Sequence, residues 1–311
     1  MEQLKDEKRL KVSVIVPAYN EMENVPILVE KFAEMLERSK LKAELVLVND
    51  GSTDRTLEKA KDCEKKYPFL KVVSHRTNRG ITDSLLTGFE NSRGEIFTFW
   101  PADLQYLPED IPKMIEKIDE GFDVVCGWKQ GKYSKRFVSL VYNWLSQKLF
   151  KVEVHDLNSV KAFRKEIVKE IPILRKDWHR YMVVMSAEKG FRIGEVKIPL
   201  YPRKHGESKF GFWRIPIGFF DLLSVKFQLS FIKKPLLFFG SLGVGLFLLG
   251  ILLGVVAVFL RIVFNQGLRP LLYLVILCIL SGISFFGLGF LAETIANLKQ
   301  DIEEVKHRLK E

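Results

Sequence analysis

Three short stretches of this 311-residue chain carry polar side chains at spacings that suit chemistry. The first is Pro17-Ala18-Tyr19-Asn20-Glu21, directly after an apolar run. A flat aromatic ring there can stack on a nucleobase, and a carboxylate can accept hydrogen bonds from a base or a ribose. The second, Asn49-Asp50-Gly51-Ser52-Thr53-Asp54, reads equally well as an ordinary turn followed by a helix cap. The third is Trp100-Pro101-Ala102-Asp103-Leu104-Gln105. Asp103 and Gln105 are oxygen-bearing side chains two residues apart, an arrangement that can hold a hard divalent cation, although only one of them is a carboxylate. Gly-x-Gly-x-x-Gly and Walker A patterns are missing, so the dinucleotide and P-loop readings lack their fingerprints. His75, His155 and His205 match no metal-ligand spacing, and no Ser/His/Asp or Cys/His constellation can be argued.

All three stretches follow apolar runs, which identifies the elements that must position them. Residues 12–17, 44–49, 70–74, 95–100 and 123–127 read as strands, and 24–38, 54–66, 81–91 and 109–120 as helices between them. Asp54 and Pro108 mark helix starts and Gly121 a stop. Near-continuous apolar strands alternating with amphipathic helices imply an α/β domain with a mostly parallel sheet covered on both faces. In such sheets ligands sit beyond the carboxyl ends of the strands, which is where the odd polar residues fall. Beyond this, 135–150 and 178–189 read as helices, 154–172 as short pieces, 191–200 as a strand, and 201–209 as a polar, basic loop.

The remainder has a different composition. From 235 to 260 there are 26 residues without a charge, and from 270 to 292 another 23. Each run exceeds the roughly 20 apolar residues that carry a helix across a bilayer. Before them, 211–233 mixes Phe212, Trp213, Phe219, Phe220, Phe227 and Phe231 with Arg214, Lys226 and Lys233, as expected of a helix in the headgroup region. Lys233 and Lys234 precede the first span; Lys299, Lys306, Arg308 and Lys310 follow the second. The positive-inside rule therefore predicts both ends in the cytoplasm. The charged first 11 residues lack an apolar core, so no signal peptide is expected. Cys63, Cys126 and Cys278 are too scattered for a disulfide framework and suit a reducing compartment. Ile295, Leu298, Ile302, Val305 and Leu309 form an apolar helical seam that needs a partner, either the same chain's catalytic domain or, as favoured here, a neighbouring subunit in a homo-oligomer.

At 47% hydrophobic and 28% charged residues, disorder is excluded. Net charge is +10; residues 235–311 hold six Lys/Arg and five Asp/Glu, which leaves 42 against 33, or +9, before them. A basic domain beside a membrane suits phosphates or anionic lipid headgroups. Nucleic acid is not expected, because no basic run interleaved with aromatics occurs.

Taken together, Val14-Ile15-Val16-Pro17-Ala18-Tyr19-Asn20-Glu21, Asn49-Asp50-Gly51-Ser52-Thr53-Asp54, Asn78-Arg79-Gly80 and Ala102-Asp103-Leu104-Gln105 resemble the family 2 glycosyltransferases. Within these the chain is similar to the polyprenyl-phosphate glycosyltransferases, such as dolichyl-phosphate mannose synthases and bactoprenyl glucosyltransferases. The segments Asp156-Leu157-Asn158-Ser159-Val160-Lys161-Ala162-Phe163-Arg164, His179-Arg180-Tyr181, Arg203 and Gly206-Glu207-Ser208-Lys209 agree, and the resemblance spans about residues 11–210.

That resemblance implies a GT-A-like catalytic domain over 1–210, an interfacial helix over 211–233, a transmembrane hairpin over 234–292 and a cytoplasmic helix over 293–311. It implies inverting transfer of a hexose from a nucleotide-diphosphate sugar, of GDP-mannose or UDP-glucose type, to a dolichyl or undecaprenyl phosphate at the cytoplasmic face of the membrane. Pro17, Tyr19, Glu21, Val48, Asp50 and Ala102 would line the nucleotide-sugar pocket. Asp103 and Gln105 would hold Mg2+ or Mn2+. Lys129 stands where the family usually has an arginine facing the diphosphate, and Arg203 and Lys209 would close over the phosphates. Lys135, Arg136 and Ser139 match the region that grips the lipid phosphate. Asp156 and Ser159 either shape the acceptor side or cap a helix.

One position departs from the pattern. The family usually reads Asp-Ala-Asp-Leu-Gln, whereas this chain has Pro101 first, which has no side-chain ligand to offer. A non-catalytic membrane scaffold keeping the fold is the alternative this raises. A processive polysaccharide synthase is the other, but the Gln-x-x-Arg-Trp motif and further spans of such enzymes are missing.

Overall fold

The computed structural model describes residues 10–131, 147–150, 152, 154–157, 159–170, 178–202, 223–227, 234–265, 267 and 269–308. The chain divides into two compact units, Met1–Phe219 and Phe220–Glu311.

The first unit is built on strands β1 (Val12–Ala18), β2 (Ala43–Asn49), β3 (Leu70–Ser74), β4 (Ile96–Phe99), β5 (Val124–Gln130), β6 (Lys161–Arg164) and β7 (Ile193–Pro199). Helices α1 (Asn24–Ser39), α2 (Thr56–Lys66), α3 (Ile81–Glu90), α4 (Ile111–Asp119), α5 (Lys165–Glu170) and α6 (Met182–Glu188) alternate with them, with short 3-10 turns at Pro108–Asp110 and Trp178–Tyr181. The expected 109–120 helix therefore starts as a 3-10 turn, and the expected 178–189 helix does likewise. All seven strands form one sheet in the order β3-β2-β1-β4-β6-β5-β7.

Strands β1 and β2 are buried almost throughout, as their apolar runs require of parallel strands covered on both faces. On one face, α1 buries Val25, Leu28, Val29, Phe32 and Met35, and α4 buries Ile111, Met114, Ile115 and Ile118, in one core with Val14, Val16, Leu45 and Leu47. Each such side chain contributes roughly 1.5–3 kcal/mol on full burial. On the other face, Phe89 of α3 stacks on Phe97 of β4 and meets Phe163 of β6 edge-on.

Strand β1 pairs in parallel with both β2 and β4, and from β1 the order runs outward in both directions. The junction of β1 and β4 is thus the topological switch point, the position beyond which ligands bind in open α/β sheets. The parallel expectation needs one amendment: β6 runs antiparallel between β4 and β5. Its first residue, Lys161, pairs with Phe99, the last of β4. The reversal delivers the segment before β6 to the edge at which β1, β2 and β4 end.

The second unit holds helix α7 (Pro235–Phe264) and helix α8 (Arg269–Arg308). Their apolar stretches have mean hydropathy 2.8 and 2.5 and are only 6% and 11% buried, which separates them from core helices of a water-soluble fold. The first span extends past 260 to Phe264, so Arg261 lies in helix, and α8 runs unbroken through the expected boundary at 292. Gly243 and Gly282 let the backbones touch: a Cβ on either would fall 2.7–2.8 Å from the other's carbonyl oxygen. Glu293 of α8 accepts a hydrogen bond from the amide of Leu236 at 3.1 Å, capping the first turn of α7. Of the expected interfacial helix, residues 223–227 are described and are helical, with Phe227 packed on Phe238 and Phe239; the rest of 211–233 lies outside the described residues.

Candidate active site

Register brings the predicted residues to one edge. Pro17 pairs with Val48, Ala18 with Asn49, and Asn49 with Ser74, so β1, β2 and β3 end level with one another. Tyr19, Glu21 and Asp50 leave from these ends, Ala102, Asp103 and Gln105 from the end of β4, and Lys129 from the end of β5. Val48 and Ala102 are buried. Lys135, Arg136, Ser139, Arg203 and Lys209 lie outside the described residues.

The loops after β1 and β2 are stitched together. Asn20 adopts φ +54°, a left-handed conformation that Asn tolerates better than most residues. There its amide donates to Ser52 Oγ at 3.0 Å, and its Oδ1 accepts from the Thr53 amide at 2.9 Å. The Glu21 amide donates to Thr56 Oγ1 at 2.8 Å, and Glu21 Oε2 accepts from Asn24 Nδ2 at 2.7 Å. Asp54 Oδ1 accepts the Thr56 amide at 2.9 Å, which supports its reading as a helix-start residue.

Asp50 is buried and turned to the protein. Its Oδ1 accepts from the Arg79 amide at 2.9 Å and lies 2.8 Å from His75 Nδ1; its Oδ2 accepts from the Gly80 amide at 2.8 Å. His75 in turn reaches Thr87 Oγ1 through Nε2 at 2.9 Å. Asp50 thus fixes the Asn78-Arg79-Gly80 loop across the end of β2. The sequence offered no sign of His75 in this role.

The turn after β4 is shaped by Leu104, which is buried at φ +57°. A left-handed leucine costs roughly 1–3 kcal/mol and persists where its surroundings impose it. It seats Leu104 in the core and lets Asp103 Oδ1 accept the Gln105 amide at 3.2 Å. Trp100, fully buried, donates Nε1 to the Tyr106 carbonyl at 3.1 Å and braces the turn from below. Nothing in the sequence marks Leu104, since leucine has no preference for this region.

Among the described residues no group of three or more His, Cys, Asp or Glu side chains converges as a metal cage. One carboxylate still fits Mg2+ or Mn2+ chemistry, because Mg2+ sites commonly combine one or two carboxylates with substrate phosphates and water. Gln105 Nε2 makes a long 3.5 Å contact to the Tyr201 carbonyl.

At the end of β5, Lys129 Nζ lies 3.0 Å from Asp156 Oδ2. Behind them Lys161 is 2% exposed and donates to the Ser159 carbonyl at 2.9 Å. Burial pushes the Lys161 ammonium down to about 8, and the same burial pushes the Cys126 thiol beside it up to about 12.

Comparison with known proteins identifies the family. Residues 13–171 match the model of the glycosyl transferase family 2. The chain is 34% identical over 298 residues to a dodecaprenyl-phosphate galacturonate synthase of Rhizobium johnstonii, covering 92% of this chain and 88% of that protein. It is 30% identical to an undecaprenyl-phosphate 4-deoxy-4-formamido-L-arabinose transferase of Shewanella sediminis, covering 94% and 88%. In fold it is similar to glucosyl-3-phosphoglycerate synthase of Mycobacterium tuberculosis, solved with Mn2+, UDP and glucosyl-3-phosphoglycerate, at a TM-score of 0.58 and 17% identity over 73% of this chain and 81% of that one. With a GT-A-like α/β unit whose polar residues gather at the switch point, this chain belongs to the glycosyl transferase family 2.

Proposed function

We propose that the protein transfers a sugar from a nucleotide-diphosphate donor to a polyprenyl phosphate, with inversion, at the cytoplasmic face of a membrane. The observation that carries this reading is the Asp103–Gln105 turn at the β1/β4 switch point, in a chain that also contains two helices long and apolar enough to cross a membrane. The acceptor class rests on likeness to the two relatives, whose names both specify a polyprenyl phosphate. Their sugars differ, one a hexuronate and one a pentose, so the proposed transfer of a hexose is a question for a donor screen.

The chemistry suits the residues. A lipid monophosphate has a second pKa near 6 and is largely ionised at neutral pH, so its oxygen attacks without a strong base. In one in-line step that oxygen bonds to the anomeric carbon while the bond from that carbon to the donor diphosphate breaks. The electron pair leaves with the nucleoside diphosphate, and an α-linked donor gives a β-linked product. Negative charge grows on the leaving diphosphate. Lys129, Arg203 and Lys209 are proposed to stabilise it there, with Lys135, Arg136 and Ser139 holding the acceptor phosphate. Mg2+ or Mn2+, held by Asp103 and Gln105, would neutralise the leaving diphosphate when bound. Tyr19 and Glu21 are proposed to meet the base and ribose, with Pro17, Val48, Asp50 and Ala102 framing the pocket. The domain boundaries at 210, 233 and 292, the cytoplasmic placement of both ends and the homo-oligomer belong to the same proposal.

The test is a donor screen on membranes containing the full chain, with polyprenyl phosphate and labelled UDP-glucose, GDP-mannose and UDP-galacturonic acid. A lipid-linked monosaccharide from one donor is expected. A long polymer, or no transfer from any nucleotide sugar, would overturn the reading.

A further inference from the structure

Lys129, the last residue but one of β5, has its ammonium engaged by a carboxylate that hardly sees solvent: the two side chains are 15% and 3% exposed. Asp156 comes from the segment before β6, outside any helix or strand, yet the described residues of that segment are fastened on several sides. The His155 amide donates to Glu195 Oε1 at 2.8 Å, and His155 Nδ1 lies 2.7 Å from Glu195 Oε2. The His155 ring stacks on Trp128 with centroids 3.9 Å apart and planes 10° apart. Ser159 Oγ donates to Tyr106 Oη at 3.2 Å, and the Gly127 amide donates to the Val160 carbonyl at 2.9 Å. The segment is therefore tied to β5, to β7 and to the turn after β4, with Asp156 in its middle.

A lysine ammonium is a point charge on a flexible four-carbon stem, and at a strand end it samples many positions. A buried carboxylate on a rigid support removes that freedom, because charge-assisted hydrogen bonds are short and strong where water is excluded. We propose that Asp156 is a positioning residue: it holds the Lys129 ammonium at the carboxyl edge of the sheet for the donor's diphosphate, on a bracket locked by the His155–Glu195 clip. The proposal rests on the reading of the chain as a nucleotide-sugar-dependent transferase. Asp156 then acts through Lys129. A carboxylate that touched the acceptor itself would lower kcat at unchanged donor KM, and its loss would multiply with that of Lys129.

The test uses the full chain in lipid nanodiscs with Lys129→Met, Asp156→Asn, their combination and Glu195→Gln, which loosens the bracket while keeping the pair. Two readouts are taken: kcat and donor KM with the donor found by the screen, and the rate at which acetic anhydride labels Lys129, read by mass spectrometry. Either single substitution in the pair is expected to raise donor KM about tenfold, with the double variant no worse than Lys129→Met, since coupled residues are not additive. Labelling of Lys129 is expected to quicken several-fold in Asp156→Asn and less in Glu195→Gln. Wild-type KM and labelling in both Asp156→Asn and Glu195→Gln would overturn the proposal, as would losses that multiply in the double variant. If the unaltered chain transfers no sugar, the functional reading falls, and labelling alone decides whether Asp156 holds Lys129.

Discussion

Tyr201 and Gln105 are bonded to each other across the end of the sheet: the Tyr201 amide donates to the Gln105 carbonyl at 2.9 Å, and Gln105 Nε2 faces the Tyr201 carbonyl at 3.5 Å. The link joins the turn carrying Asp103 to the first residue of the basic loop. We predict that Arg203→Ala and Lys209→Ala reduce turnover at least tenfold while shifting stability within about 0.5 kcal/mol, the usual range for surface substitutions. Turnover and melting temperature of each variant are the measurements. Equal losses in both would make the loop a structural clasp.

The lone carboxylate in the turn after β4 makes metal dependence testable at two positions. Asp103→Ala is predicted to lower turnover by orders of magnitude with the fold intact by circular dichroism, and excess chelator to abolish transfer until Mg2+ or Mn2+ is restored. Pro101→Asp, which restores the usual family residue, is predicted to leave activity unchanged or tighten metal affinity. Full activity in chelator would show that transfer needs no metal ion.

Gly51 carries a sharper structural prediction. It sits at φ +66°, and a Cβ there would fall 2.3 Å from the Thr77 carbonyl carbon and 2.6 Å from the Asn78 amide nitrogen. These are backbone atoms, so no side chain can swing away. Gly51→Ala should cost about 2–5 kcal/mol from overpacking and left-handed strain together, and displace the loop that Asp50 fixes. Thermal unfolding checks the first part and loss of nucleotide affinity the second.

Lys161 gives a pH prediction. Its ammonium titrates near 8 in the folded protein because burial disfavours the charged form, against an ordinary value of 10.5. Between those values the unfolded chain keeps a proton that the folded chain has released, so stability from this group rises with pH across the window; below pH 8 the full penalty is present. Lys161→Met should therefore stabilise the protein at pH 7 by about 2 kcal/mol, after allowing about 1 kcal/mol for the lost bond to Ser159. The gain should vanish toward pH 10.5. Melting temperatures of both proteins in detergent at pH 7 and pH 9.5 test the sign.

Strands β1 to β5 were legible because parallel strands buried on both faces read as apolar runs, and their ends followed from the polar residues that break those runs. Strand β6 was not: Lys161-Ala162-Phe163-Arg164 is four residues long and begins with a buried lysine, which periodicity counts as surface. Glu44, read within the 44–49 strand, is a second buried charge, accepting from Ser13 Oγ at 2.7 Å and from the Arg93 amide at 2.6 Å. The site's residue types were visible as motifs, whereas its shape depends on Leu104 in a left-handed turn and on pairings such as His75 with Asp50 that join residues distant in sequence.

Helix α8 carries the apolar seam past the end of its span: Ile295, Leu298, Ile302 and Val305 are 48–68% exposed, while Leu309 lies outside the described residues. Full burial of each is worth roughly 1.5–3 kcal/mol, and a second copy of the chain is the proposed partner. Cross-linking in native membranes should give oligomers from the full chain and fewer from a chain lacking residues 293–311. Monomers from both would contradict the assembly.

Sugar transfer to a lipid phosphate is read from the product itself. Membranes bearing the full chain are incubated with polyprenyl phosphate, Mn2+ and the donor found by the screen, and the extracted lipid is analysed by mass spectrometry and anomer-resolving NMR. One sugar per polyprenyl phosphate is expected, β-linked from an α-linked donor, formed by the unaltered chain and not by Asp103→Ala. An α-linked product, a polymer, or equal product from Asp103→Ala would contradict it.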